Sequence, residues 1–184
     1  GNLRFGSASV LLFNLRTLRT QYIHVLVQDV EKFWRAEWGF TTLFSHGTSD
    51  ARGVCIIFKS TFPLEIHSTV TDENGRYIVT DVTVGDKRLT LCNIYAPNED
   101  RPEFFENIIG IIESLLNNDR IIGGDFNLVL NLDQDKRRGR KQTHVKSQSV
   151  LNAWMEATDL IDISRIKNPE SFLFTWHVNN SRPI

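Results

Sequence analysis

Long apolar runs are absent from this sequence: no stretch approaches the roughly 18 consecutive apolar residues that a membrane-spanning helix needs. Excess charge is absent too. Against 21 Lys and Arg stand 22 Asp and Glu, a formal net charge of -1, so the chain as a whole does not attract a polyanion and any such affinity has to come from a local patch. Cysteine is scarce, with Cys55 and Cys92 each inside an apolar, strand-like run. That pattern reads as two buried thiols in a reducing compartment, the alternative being a disulfide or a metal pair. The opening GNLRFGSASVLLFNLRT has a short apolar run but no clear basic n-region and no small-residue cleavage site. The expectation is an intracellular protein, nuclear or cytoplasmic, without a membrane partner. Met155 is the only methionine, so the chain is expected not to begin at a natural start.

What is present fits an ordinary globular chain: 184 residues, 41% hydrophobic and 23% charged. No internal repeat, low-complexity tract or Pro/Gly-rich linker divides it, and one domain over residues 1–184 is the economical reading. Residues 1–30 carry two apolar runs, Val10–Phe13 and Ile23–Val27, with Arg16–Arg19 between them, and from Asp29 the pattern turns helical around Phe33, Trp34 and Trp38. A strand-rich block follows. Gly53–Lys59 reads as a strand buried on both faces, and Pro63–Val70, Arg76–Val84 and Lys87–Tyr95 as further strands. Asn74-Gly75 and Gly85-Asp86 between them supply the positive φ of tight hairpins. Pro102–Asn118 repeats Phe104, Phe105, Ile108, Ile109, Ile112, Leu115 and Leu116 at helical spacing, with Asp100 as its cap. Ile121–Ile122 is a short strand, Ser147–Thr158 a second helix, and Leu160–Ile163 and Ser171–Val178 further strands. Mostly antiparallel strands with interspersed helices predict an α/β fold, a two-sheet β-sandwich flanked by helices.

Two segments carry chemistry. In Ile121–Asn131, IIGGDFNLVLN, a strand ends in two glycines that permit a tight turn and leave room for a phosphate to approach. Asp125 and Asn127 then follow at i, i+2, a spacing that in extended backbone puts both on one side and Phe126 in the core. A carboxylate that activates or orients water beside a neutral amide donor suits hydrolysis, the alternative being a polar turn after a buried strand. In Leu89–Asn98, LTLCNIYAPN, an apolar strand ends in Tyr95, a proline and Asn98. That end offers phenol and amide hydrogen bonds to a phosphate, unless Tyr95 merely caps the core and Asn98 starts the next turn.

The pairing of NIYAPN with GGDFN resembles the endonuclease/exonuclease/phosphatase superfamily, the DNase I-like enzymes that include the apurinic/apyrimidinic endonucleases. ARGVCIIFK, NGRYIVTDV, YAPNEDRPEFF and KSQSVLNAWMEATDLIDISRIKNP narrow it to the endonuclease domain of LINE-type (non-LTR) retrotransposons, from about residue 29 onward. The resemblance implies a DNase I-like four-layer sandwich and Mg²⁺-assisted hydrolysis that nicks DNA for retrotransposition. It implies that Asp125 orients the attacking water, that Asn127 and Tyr95 stabilise charge on the scissile phosphate, and that Asn98 contacts a phosphate nearby. Trp176 would lie at the DNA-binding rim, the alternative being a buried aromatic in an edge strand. A reverse transcriptase would follow in the parent polyprotein.

The sequence also departs from that family. A first strand carrying Asn should be followed by a strand ending in a Gln-Glu pair whose Glu holds the metal, yet the first Glu is Glu31, within the predicted helix. Gln28-Asp29 mimics the pair but leaves little chain before Trp38. A hard cation such as Mg²⁺ needs oxygen ligands, usually with at least one carboxylate, and without that Glu the site is expected to bind it poorly. Near the other end the family's Asp and its Asp-His pair have no counterpart, and His177 does not replace them. The expectations are a fold incomplete at both termini, a frameshifted or eroded transposon copy, no metal ligand set, and weak or absent activity.

Lys136–Lys146, KRRGRKQTHVK, contains six Lys or Arg and no acid. Lys136, Arg137, Arg138 and Arg140 at the rim of the GGDFN loop would neutralise DNA phosphates, the alternative being a solvated surface loop. Two functional classes result. One is a Mg²⁺-dependent DNA endonuclease, with a phosphomonoesterase or lipid phosphatase as its weaker variant; the other is an inactive nucleic-acid-binding remnant.

Overall fold

The computed structural model of the chain describes residues 2–5, 8–14, 32, 36, 41–48, 51–58, 63–117, 119–130, 144–163 and 166. The helical pattern around Phe33, Trp34 and Trp38 and the strand expected at Ser171–Val178 lie outside them, as do Gln28-Asp29 and His177. The chain divides into two units, Gly1–Asn98 with Glu106–Asn127, and Glu99–Phe105 with Leu128–Ile184.

The first unit holds two four-stranded sheets. In the first, β1 (Asn2–Phe5), β2 (Ala8–Asn14), β4 (Ala51–Phe58) and β3 (Thr41–Thr48) run antiparallel in that spatial order. The second is ordered β5 (Leu64–Thr71), β6 (Tyr77–Val84), β7 (Lys87–Tyr95) and β8 (Arg120–Asp125). Its first three strands are antiparallel, and β7 pairs with β8 in parallel. Ala8–Asn14, which contains the unassigned apolar run Val10–Phe13, is thus a strand against β4, with Asn14 opposite Val54.

Strand periodicity explains the core. Val54, Ile56 and Phe58 of β4 meet Ile78 and Val82 of β6 and Leu89, Leu91 and Tyr95 of β7, with Ile121 of β8 packed at the margin. Fully burying an aliphatic side chain is worth about 1.5–3 kcal/mol, so these alternating positions dominate the stability of the unit. The intervening residues of β4 are buried as well, as its continuous apolar run predicts, and Asn93 donates across the sandwich to the carbonyl of Cys55 at 2.9 Å. Both cysteines are free thiols, and burial pushes Cys55 up to about 12 and raises Cys92 as well.

Helix α1 (Pro102–Ser114) makes the crossover that a parallel pair requires. Within the first unit, Asn107 of this helix donates to the Tyr77 hydroxyl at 3.3 Å. The helix stops short of the expected Asn118: Leu116 is left-handed, with φ 56°, and exposed. Arg120 then grips Glu113 with both terminal nitrogens, at 2.6 and 2.9 Å, tying the helix end to the start of β8. Beneath it lies a buried carboxylate. Asp81 accepts from Arg88 Nε at 3.0 Å and from Asn117 Nδ2 at 2.8 Å, and Asn117 also reaches Thr90.

In the second unit, α2 covers Val145–Ala157 and buries Ser147, Leu151 and Trp154. Val150 and Met155, also expected inside, are half-buried. His144 at the N-cap makes no side-chain capping bond. Asp100 does that work: its carboxylate accepts from the Lys146 N–H at 3.1 Å, the Ser147 N–H at 2.9 Å and the Ser147 hydroxyl at 2.6 Å. These donors, the hydroxyl foremost, hold Asp100 below the usual carboxylate range. The cap expected for the nearer helix is spent on one beginning 45 residues later in the chain, because free N–H groups there have no local acceptor. Leu160–Ile163, expected as a strand, closes α2 instead. Asp159 is left-handed, with φ 54°, and Leu160 N–H returns to the Met155 carbonyl, a helix-ending arrangement that leaves Ile161 and Ile163 exposed.

The Arg88 hydrogen bond is the main reason Asp81 titrates below its ordinary 3.8. A depressed carboxylate contributes stability that is complete above the unfolded-state pKa and is lost as pH falls through the folded one. The expected outcome is that the wild-type advantage over Asp81→Asn in urea unfolding holds from pH 7 to 5 and shrinks below about pH 4. An advantage independent of pH would show that the charge is not what stabilises.

Candidate active site at the ends of two parallel strands

The parallel register runs Thr90↔Arg120 through Ile94↔Gly124 to Tyr95↔Asp125. The two motifs, separated in sequence by a helix, therefore end side by side, and the Ala96 N–H donates to the Asp125 carbonyl at 2.8 Å to close the ladder. Strand β8 passes through both glycines, where the sequence reading stops it at Ile122. The reason lies in the neighbouring backbone. Gly124 has φ 127°, and a Cβ on it would collide with the Ile94 carbonyl oxygen and stand 2.7 Å from the Ile94 nitrogen. This glycine is required by the close approach of β7 rather than by room for a phosphate.

Asp125 is exposed at the strand end. Asn127 is not extended as its i, i+2 spacing suggests: it is left-handed, with φ 49°. Asparagine tolerates that conformation because its side chain bonds locally. Here its backbone N–H donates to Asp125 Oδ1 at 3.1 Å and its Nδ2 to the Ala96 carbonyl at 2.6 Å. Both motifs are thus stitched together through Asn127. Phe126, expected in the core, is half-buried. Tyr95 is 5% exposed and belongs to the sandwich core, and Asn98 lies exposed in the bend beyond Pro97. The structure brings Tyr95, Asp125 and Asn127 together. Trp176, Lys136, Arg137, Arg138 and Arg140 lie outside the described residues.

Arg76 escaped the sequence reading. Its Nη1 donates to the Tyr95 carbonyl at 3.3 Å, its carbonyl accepts the Tyr95 N–H at 2.7 Å, and its guanidinium stands 5.9 Å from the Tyr95 ring centroid. The signal was present. Counting back from Val84↔Lys87 through Tyr77↔Ile94, the next step of the two-residue hairpin puts Arg76 opposite Tyr95. The turn before it is rigid: the Asp72 carboxylate accepts from the Asn74 and Arg76 N–H groups, and the Asp72 carbonyl accepts from the Ser45 hydroxyl at 2.7 Å. Gly75, with φ 69°, packs its Cα face against His46 and Gly47 of β3, where a side chain has no space.

Among the described residues no three His, Cys, Asp or Glu side chains come together as a metal site, and Asp125 is the one carboxylate on the Tyr95–Asp125 pair. Those residues do not fit a Mg²⁺ ion, which wants near-octahedral oxygen coordination, usually with a further carboxylate.

The class defined so far is an α/β sandwich with polar groups gathered where two parallel strands end. No family model matches the chain. Over 163 residues, 84% of its length, it is 32% identical to the uncharacterized 149 kDa protein of transposon TX1 of Xenopus laevis, and it spans 12% of that protein. A transposon-encoded relative is consistent with the LINE-type resemblance of the motifs. Among solved structures, the chain is similar to the endonuclease domain of TRAS1, a telomere-specific non-LTR retrotransposon. The TM-score is 0.47 at 16% identity, over 64% of this chain and 52% of that one.

Gly124→Ala is expected to destabilise the chain by about 3 kcal/mol or more, since overpacking and backbone strain act together. Urea unfolding measures it, and a change within about 0.5 kcal/mol would show that β8 can move away from β7 at no cost.

Proposed function

We propose that the chain is the phosphodiester-hydrolysing domain of a LINE-type retrotransposon endonuclease, with a DNase I-like fold, acting on DNA. The observation that carries this reading is the Tyr95↔Asp125 register, which sets a phenol, an exposed carboxylate and the Asn127 amide on one pair of strand ends. Asp125 orients the attacking water and accepts its proton; its exposure lets water reach it, and the Asn127 N–H fixes one of its oxygens. Tyr95 and the second Nδ2 hydrogen of Asn127 are neutral donors, able to meet charge growing on a phosphate without repelling the nucleophile. Asn98 contacts an adjacent phosphate. Trp176 and the basic residues Lys136, Arg137, Arg138 and Arg140 hold the flanking duplex. The TX1 relative, of which the chain matches a small part, supports a longer parent protein; in this reading a reverse transcriptase follows the domain there. In this reading the protein works inside the cell, in the nucleus or the cytoplasm.

Mg²⁺ is the cofactor that the family resemblance implies, but the described residues do not fit it, and Asp125 is the one carboxylate at the strand ends that would hold it. The incomplete ligand set among the described residues favours a second reading, an inactive remnant that binds nucleic acid.

Nicking of supercoiled plasmid by the folded chain separates the two. The first reading expects nicking in Mg²⁺ that vanishes in EDTA and falls at least about 100-fold in Asp125→Ala. Salt-sensitive retention of duplex DNA without nicking would establish the remnant instead, and neither nicking nor retention would overturn both.

A further inference from the structure

Asn98 lies exposed midway between two residues that are themselves fixed. On one side, the Ala96 N–H donates to the Asp125 carbonyl at 2.8 Å and the Ala96 carbonyl accepts Asn127 Nδ2 at 2.6 Å. On the other, Asp100 is fastened to the first turn of α2. Its Oδ1 accepts the Ser147 N–H at 2.9 Å and the Ser147 hydroxyl at 2.6 Å, and its Oδ2 accepts the Lys146 N–H at 3.1 Å. The same turn holds the segment that follows Asn127, through Gln148 Nε2 and the Leu130 carbonyl at 2.8 Å. Asp100, Leu130 and α2 all belong to the second unit.

Two residues of chain reach at most about 7 Å, so a fixed Ala96 and a fixed Asp100 leave Asn98 little freedom. Pro97 between them has its φ set by its own ring. That matters for a neutral amide. The net worth of one hydrogen bond to a ligand is no larger than the entropy lost in ordering a loose loop residue, so the amide contributes only if it is ordered beforehand. Asp100 is otherwise poorly placed, because an acid two residues from a phosphate-binding amide repels the ligand. Its three donors, which also hold it below the usual carboxylate range, give it a different task.

We propose that Asp100 is a positioning residue: by tying its segment to the first turn of α2, it presents Asn98 to a backbone phosphate of bound duplex DNA. The assignment rests on the DNA-directed reading above and on the contact given there to Asn98.

The test is the affinity for a duplex oligonucleotide at low salt, measured by fluorescence anisotropy in EDTA so that nicking does not intervene. Asp100→Ala and Asp100→Asn remove the same charge, but the asparagine Oδ1 can still accept both bonds from Ser147. Asp100→Ala is expected to weaken binding about three- to tenfold and Asp100→Asn to keep most of the wild-type affinity. Charge alone would make both variants bind more tightly. Asn98→Ala is expected to weaken binding by a similar factor, and adding Asp100→Ala to it to cause no further loss, because residues that act as one unit are not additive. Thermal transitions check folding. Should Asp100→Ala not fold, Ser147→Ala, which removes one donor and no charge, takes its place, with weaker binding expected that is absent from the Asn98→Ala background. Equal affinities of Asp100→Ala and Asp100→Asn would overturn the assignment, as would a loss that persists at full size without Asn98 or a folded Asn98→Ala that binds like the wild type. Each of these leaves DNA binding itself intact. A wild-type chain that does not bind duplex at all would remove the DNA-directed reading and this assignment with it.

Discussion

Two backbones meet at Gly124 with no side chain between them, and the organisation of the strand ends depends on that contact. Because β8 can lie this close to β7, the ladder continues one step further and Asp125 arrives beside Tyr95. Because Asp125 arrives there, its carbonyl receives the Ala96 N–H, and the turn beyond it has to fold back within reach of Ala96. Asn127 completes that turn in a left-handed conformation, stabilised by bonds to both segments. A larger residue at 124 would break the sequence of dependencies at its first link.

The sandwich was legible because its strands announce themselves twice, by alternation and by the glycine turns between them. Tyr77–Val84 and Lys87–Tyr95 match the expected strands to within a residue, and the buried run of β4 is where its continuous apolar pattern put it. Less was legible where the cause lies far away in sequence. Gly123 and Gly124 have no side chains to show a period, so their place inside β8 follows from Ile94, not from their neighbours. Asp100 sits two residues before a helix and caps another one. The candidate site was legible as residue types in motifs, and its core of Tyr95, Asp125 and Asn127 assembles. Its geometry was not, because the φ of Asn127 is set by a carbonyl 31 residues upstream. Arg76 lies in the NGRYIVTDV segment and could have been placed opposite Tyr95 by counting hairpin partners.

The carboxylates of the described residues divide by what occupies them. Asp81 is spent on Arg88 and Asn117, Asp72 on the turn it organises, and Asp100 on the first turn of α2. Each is a structural acid, held by donors from the turn, strand or helix that it organises. Asp125 differs in being exposed, with a single backbone N–H at one oxygen.

The pinning of α2 has a consequence for how such a chain can vary. Leu130 gives its carbonyl to the Gln148 side chain at 2.8 Å, and Asp100 holds Lys146 and Ser147. The two flanks of residues 131–143 are thereby fastened within one unit, independently of what those residues are. Closing a loop costs only about 0.6 kcal/mol more for each doubling of its length. Related copies can therefore lengthen, shorten or recharge this stretch, which includes Lys136–Arg140, while the anchors on either side stay put.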